Sequence, residues 1–198
     1  SQVILNTADA EILGFEAEGR YAVLDNLLLT ANVGVIDADY TDVWYDISSD
    51  GLINGRDLAL DLPRVPETTY GFGFIYDHDL GDKGTLVARA NFQHRDKNAF
   101  TDNNWGWMNA ADMVDANLTW NTPYEGLSVA LFGKNLLDEV TAGNDTQLPF
   151  GGNVSALVPG SSNLSTGVNT PYAYYPGAGT LSPLIPGRRI GFEITMKH

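Results

Sequence analysis

Near the end of the chain, side chains alternate in polarity with almost no exceptions. Ile190, Phe192, Ile194 and Met196 fall on one side, and Arg189, Gly191, Glu193, Thr195 and Lys197 on the other. A period of two with one apolar side marks a strand in a sheet that has one greasy face and one wet face. The stretch Arg188–His198 therefore reads as a strand, and the same alternation recurs upstream. In Glu11–Tyr21 the apolar set is Leu13, Phe15, Ala17 and Tyr21; in Asn26–Ile36 it is Leu27, Leu29, Ala31, Val33 and Val35. Tyr70, Phe72, Phe74 and Tyr76 carry it in Thr68–Asp77, and Leu86, Ala88, Ala90 and Phe92 in Thr85–Arg95. Asp112–Asn121 presents Val114, Ala116, Leu118 and Trp120, and Leu127–Asn135 presents Leu127, Val129 and Leu131. These lengths are close to the 9–11 residues, roughly, that a tilted strand needs to cross a bilayer.

The connections between these strands alternate in length. Short turns are expected at Ala22–Asp25, His78–Gly84 and Thr122–Gly126; long segments are expected at Asp37–Glu67, Asp96–Ala111 and Leu136–Gly187. In an antiparallel meander this puts every short turn at one rim and every long loop at the other, an asymmetry typical of outer-membrane barrels. A soluble sandwich has no reason to sort its loops by length. Tyr21, Tyr76, Trp120 and Tyr124 lie at or near the short-turn ends, where an aromatic girdle at the headgroup level would sit.

Composition narrows the classes. The 198 residues contain no cysteine, which removes disulfides and thiolate metal sites, and three histidines are too few for a histidine-based metal centre. A net charge of −14 leaves nothing to neutralise phosphate, so a nucleic-acid partner is not expected. No apolar run approaches the roughly 20 residues of a membrane helix, which leaves a membrane barrel open because barrel strands bury only every second residue in lipid. The opening Ser1-Gln2-Val3 has no secretory leader, so either one was removed or the chain is the C-terminal part of a longer one. The strands so counted fall short of the minimum of about eight that closes a bacterial single-chain barrel. Gln2–Asn6 offers an eighth but is short for a span, so the simpler expectation is a segment of a larger barrel.

Four motifs give the chain a family likeness. Gly14-Phe15-Glu16 fits a G-x-E strand, Arg64-Val65-Pro66 an R-x-P, Asn135-Leu136-Leu137-Asp138-Glu139 an N-L-x-D-E at the end of the penultimate strand, and Pro186-Gly187-Arg188 a P-G-R that opens the last. In their order and spacing they resemble the C-terminal portion of TonB-dependent outer-membrane receptors. The resemblance implies an all-β fold: an antiparallel transmembrane β-barrel segment, about seven C-terminal strands of a 22-stranded barrel. It implies that residues 1–198 belong to the barrel domain, with the plug domain absent from this chain. It also implies a place in the bacterial outer membrane, with outer-membrane lipid, the plug and, through it, TonB as partners. The implied activity is uptake of a scarce small-molecule or glycan cargo of the siderophore, cobalamin or oligosaccharide class, with no enzymatic step. One departure is His198, which stands where the family usually ends in an aromatic.

Candidate sites fall in the long segments. Asp46–Asp57 spaces oxygen ligands like a calcium loop: Asp46, Ser48, Asp50, a carbonyl at Leu52, Asn54 and Asp57, with Gly51 at the sixth position. Asp57 stands in place of the usual Glu, and Pro63 follows soon, so no exit helix is expected. The alternative is an acidic, turn-rich loop that happens to fit. Trp44, Tyr45, Trp105, Trp107, Tyr172, Tyr174 and Tyr175 are candidates for stacking on a sugar or aromatic ligand, near Asn and Asp. Phe100 and Met108 accompany them, and the competing reading is that all of these pack against neighbouring loops. The Gly-, Ser-, Asn- and Pro-rich stretch 151–182 reads as a loop. Glu16, Glu18, Arg20, Arg89, Arg95 and Lys134 fall on the wet face, to pair with one another or with a plug. No catalytic triad or carboxylate pair can be argued from spacing. Two other functions fit the pattern: a small outer-membrane barrel with a structural or adhesive role, and a soluble carbohydrate-binding β-sandwich.

Overall fold

A computed structural model of the chain describes residues 6–48, 50–104, 106–141, 146–149, 178–181 and 184–197. Seven strands form one antiparallel sheet in which spatial order follows chain order. They are β1 (Ala8–Leu24), β2 (Leu27–Val43), β3 (Thr68–Asp79), β4 (Thr85–Arg95), β5 (Ala111–Asn121), β6 (Leu127–Lys134) and β7 (Arg189–Met196). The sheet is open: β1 and β7 do not pair with each other. Two small ribbons decorate one rim, Asn98–Ala99 with Trp107–Met108 and Thr146–Pro149 with Ala178–Leu181. The eighth strand expected at Gln2–Asn6 lies outside the described residues apart from Asn6, which is not in a strand.

Register keeps the apolar set on one face across the whole sheet. Leu29 opposes Tyr21 on β1 and Phe74 on β3, and Phe74 opposes Ala90, which opposes Ala116. Leu118 continues to Leu131, and Leu131 to Phe192. A slip of one residue at any pairing would turn a whole strand's apolar set onto the wet face. Within this face, aromatic rings stack across strands, Phe72 on Phe92 at 4.9 Å. Among the described residues nothing covers it: Phe15 is 64% exposed and Phe192 75%. A soluble sandwich would bury such a face under a second sheet, and no second layer lies over it among the described residues.

The short turns sit at one rim. β1 and β2 are joined by Asp25-Asn26 alone. The β3–β4 turn needs Gly84, whose φ of +91° and closeness to the Asn121 carbonyl leave no room for a Cβ. Trp120 hangs over the same turn and donates its indole N–H to the Lys83 carbonyl at 2.8 Å. A ring with one anchored polar corner and an exposed apolar body suits a girdle position.

The long-loop rim departs from expectation in two ways. β2 does not stop at Ile36; it runs on to Val43, paired only with β1. The extension was hidden because Asp37, Asp39 and Asp42 remove the apolar alternation, while the backbone ladder to β1 satisfies the strand without it. The second departure is a one-turn helix, α1 (Gly55–Leu58), inside the Asp46–Asp57 loop; it ends one residue past Asp57, and no exit helix follows among the described residues. Asn54 caps it by accepting from the Arg56 N–H at 2.7 Å, and Asp57 returns the bond by accepting from the Asn54 N–H at 2.9 Å. This reciprocal box holds a single turn that Pro63 is too distant to prevent.

Candidate functional site

The residues that could recognise a ligand gather above the long-loop rim. Their support is a miniature core built from three segments: Val43 at the end of β2 with Ile47 beyond it, Asp57 in α1, and Ala99, Phe100 and Met108 from the β4–β5 connection, all buried. Asp57 is 0% exposed. Its carboxylate accepts from the N–H groups of Ser48 at 2.8 Å and Asn54 at 2.9 Å. Burial alone would push this carboxyl up, but those backbone donors outweigh it and hold the group below the usual carboxylate range. The positive φ of Arg64, 66°, turns the chain so that its N–H reaches the Ala99 carbonyl at 2.8 Å and its guanidinium lies 5.7 Å from the Phe100 ring.

The Asp46–Asp57 loop closes on itself. Asp46 accepts from the N–H groups of Asp50 at 3.0 Å and Gly51 at 2.7 Å. Asp50 accepts from the Leu52 N–H at 2.9 Å and pairs with Arg56 at 3.3 Å. Ser48 donates its hydroxyl to Asp46 at 3.3 Å. The six residues singled out as calcium ligands are thus held together by Asx-type turns. Among the described residues, no group of three or more His, Cys, Asp or Glu is arranged to hold a metal ion.

The aromatic candidates separate. Trp44, Tyr45 and Trp107 are exposed at the rim, whereas Phe100 and Met108 are buried in the miniature core, the packing role that competed with ligand stacking. Trp107 carries the Lys97 ammonium 5.2 Å above its ring and donates its indole N–H to Asn104 O at 2.7 Å. Trp105, Tyr172, Tyr174 and Tyr175 lie outside the described residues, as do His198 and all of 151–182 except 178–181.

Two motifs some fifty positions apart turn out to be one device. Asn135, with a φ of 50°, donates its side-chain amide to Glu139 O at 2.9 Å and Pro186 O at 3.2 Å, and accepts from the Glu139 N–H at 2.8 Å. Asp138 accepts from the Arg188 N–H at 2.8 Å. N-L-x-D-E and P-G-R therefore clasp the outer ends of β6 and β7. Sequence reasoning also missed His94, whose two ring nitrogens face Asp112 at 2.6 Å and Asp96 at 3.0 Å while the ring stacks on Tyr70 at 4.6 Å. Alternation places His94 on the apolar face of β4, and its partners come from the next strand and the loop.

The wet face is polar along its length. Asn32 on β2 meets Gln93 on β4 at 3.4 Å, across β3, because Gly71 between them has no side chain. A cleft of about 760 Å³ borders Glu16, Glu18, Arg20 and Asn32. Arg95 reaches Thr141 Oγ1 at 3.3 Å. Glu16, Glu18, Arg20, Arg89 and Lys134 are in no ion pair among the described residues, so the mutual pairing expected of them is not formed there.

Residues 2–136 match the family described as TonB dependent receptor-like, beta-barrel. Among solved structures the chain is similar to the ferric yersiniabactin uptake receptor FyuA from Yersinia pestis, at 17% identity and a TM-score of 0.66, over 96% of this chain and 24% of that one. It is similar to the siderophore receptor PiuA from Acinetobacter baumannii, at 18% identity and a TM-score of 0.55, over 68% of this chain and 19% of that one. BauA, the ferric preacinetobactin receptor from the same species, gives 17% identity and a TM-score of 0.51, over 68% and 19%. The chain thus spans a quarter or less of the length of these receptors, and at such identities the likeness is one of fold. No curated protein matches the chain.

Proposed function

The chain belongs to the TonB-dependent receptor-like β-barrel family, and we propose that it forms wall and external loops of an outer-membrane transporter that takes up a scarce nutrient. The observation that carries this reading is the uncovered apolar face, continuous over seven strands and bounded by short turns at one rim and a folded loop cluster at the other. Hydrocarbon is the medium in which such a face is stable, and antiparallel strands satisfy their backbone groups there through the ladder. In this reading the wet face lines the lumen. Its unpaired Glu16, Glu18, Arg20, Arg89 and Lys134 await a plug domain supplied by the rest of the receptor, and TonB acts through that plug. Transport asks for rigidity and recognition, and it needs no bond-making residue.

The cargo class we put first is a ferric siderophore, since three structurally similar proteins are named as receptors for such ligands; cobalamin and oligosaccharide follow. The test is uptake by cells carrying the full receptor under nutrient starvation, with and without TonB. Uptake of labelled cargo that persists without TonB would overturn the proposal. So would a receptor that stays soluble without detergent.

A further inference from the structure

Outward of Phe92 the apolar face of β4 turns polar. His94 takes the next position on that face, directly opposite Tyr70 on β3 and Asp112 on β5. Its Nδ1 lies 2.6 Å from Asp112 Oδ1, and its Nε2 lies 3.0 Å from Asp96 Oδ1. The Tyr70 ring stacks on the imidazole with 22° between the planes, which holds the ring so that one nitrogen faces each carboxylate. Three elements thus meet on one side chain: the two strands beside β4 and the first residue of the β4–β5 connection.

Counting protons decides what this arrangement can do. A neutral imidazole has a single N–H, so it donates to one carboxylate and turns a lone pair toward the other; imidazolium donates to both. Two such contacts at once therefore need one more proton than the neutral ring carries, and imidazole is a stronger base than either carboxylate. Asp96 lies beyond the strand. Its carboxyl is held below the usual carboxylate range, first by the bond from His94 and with help from Thr68, against the opposing effect of partial burial. It stays ionised wherever imidazole titrates. Tyr70 is the titratable group that β3 presents to the ring, and Asp112 the one that β5 presents. The neighbouring cations are turned elsewhere, Arg95 to Thr141 and Lys97 over Trp107.

Asp96 is also the stem of an external loop. Its N–H donates to Thr68 O at 3.0 Å. Beyond it comes the ribbon of Asn98–Ala99 with Trp107–Met108, which buries Phe100 and Met108 beneath and exposes Trp107 at the rim. We propose that His94 is a proton-operated latch: charged, it pins the stem of the β4–β5 loop to β5, and uncharged it releases one carboxylate and lets the stem open. Asp96, the longer contact, is the one expected to go. The double contact exists where imidazole is charged, below about pH 6.5 for a free ring, and is lost as pH rises above the value the ring has in place. The latch does not depend on the transport reading, since order in the loop is measured without cargo.

The test is hydrogen exchange read by mass spectrometry on the detergent-purified full receptor at about pH 5.5 and about pH 9, on either side of the histidine range, with times scaled for the intrinsic exchange rate. Peptides covering 96–100 are expected to exchange about tenfold faster at the higher pH, the size of one hydrogen bond to a charged group. The short turn 122–126 is expected to show no such change. His94→Gln removes the titrating ring and is expected to exchange at one scaled rate at both pH values. Asp96→Asn is expected to do the same, because an amide can donate to the lone pair of the neutral ring and both contacts then form without the extra proton. This second variant decides the matter if the first does not fold. Equal exchange of the native loop at the two pH values would overturn the latch. So would a pH dependence that survives in a folded variant, or one shared by 122–126, which would mark a general loosening of the sheet.

Discussion

The wall and the loop cluster solve opposite problems with one chain. On the wall, large apolar side chains such as Phe72, Leu131 and Phe192 stand exposed on a single layer. In the cluster, a few residues contributed by segments far apart in sequence, Ile47, Asp57, Ala99, Phe100 and Met108, are buried. The wall has no protein core because its second layer is the solvent it lives in. The cluster must make its own interior, with the buried Asp57 carboxylate holding the Ser48 and Asn54 amides of its own loop. Stability in the first region thus depends on the medium, and in the second on hydrogen bonds that water would otherwise take.

The most forceful way to break this comparison is Phe72→Arg, at the middle of β3. If the face meets hydrocarbon, the charge costs about 2–4 kcal/mol, read as loss of the heat-modifiable folded band in vesicles. If the face meets water, the change is within about 0.5 kcal/mol. Next is Asp57→Ala, which leaves the buried N–H groups of Ser48 and Asn54 without an acceptor. It is expected to cost about 2–3 kcal/mol, seen as rapid proteolysis within 44–67 while the wall stays folded.

The same carboxylate gives a pH prediction. A group whose native pKa is depressed contributes stability that is fully present above its unfolded value, about 4, and is lost as pH falls through the native value. The cluster should resist protease at pH 5 and above and loosen below roughly pH 4, with wall strands unchanged; identical protease resistance at acid and neutral pH would refute it. Asn135→Ala removes the clasp between β6 and β7 and is expected to cost about 1–2 kcal/mol, measured as a lower unfolding midpoint. The smallest expected effect is that of calcium. Asp46 and Asp57 each already accept two backbone N–H groups, so a titration is expected to show no binding tighter than millimolar. Tight binding would make the loop a metal site.

The seven strands were legible because alternation is local, and a residue's face follows from counting by twos. Thr85–Arg95 was read to the residue. The upper part of β2 was not, since Asp37, Asp39 and Asp42 carry no apolar signal and only the partner strand reveals the ladder. The motifs around Asn135 and Arg188 were visible as a likeness, but their contact was not, because it spans roughly fifty residues and depends on a left-handed Asn. The candidate site was the least legible part. Trp107 and the Asp46–Asp57 loop could be picked out, while the burial of Asp57 comes from the loop folding back on its own amides, which residue spacing does not reveal.

The tall hairpin of β1 and β2 has one more implication. Seventeen residues make a strand roughly 55 Å long at about 3.3 Å per residue, taller than β3 beside it, so beyond Val35, past the bond from the Ile36 N–H to the Glu67 carbonyl, β2 continues with no strand paired on that flank among the described residues. Such a flank is a template on which another extended chain can zip. Carboxylates at 37, 39 and 42 place like charge along that edge, so two copies of it would repel each other.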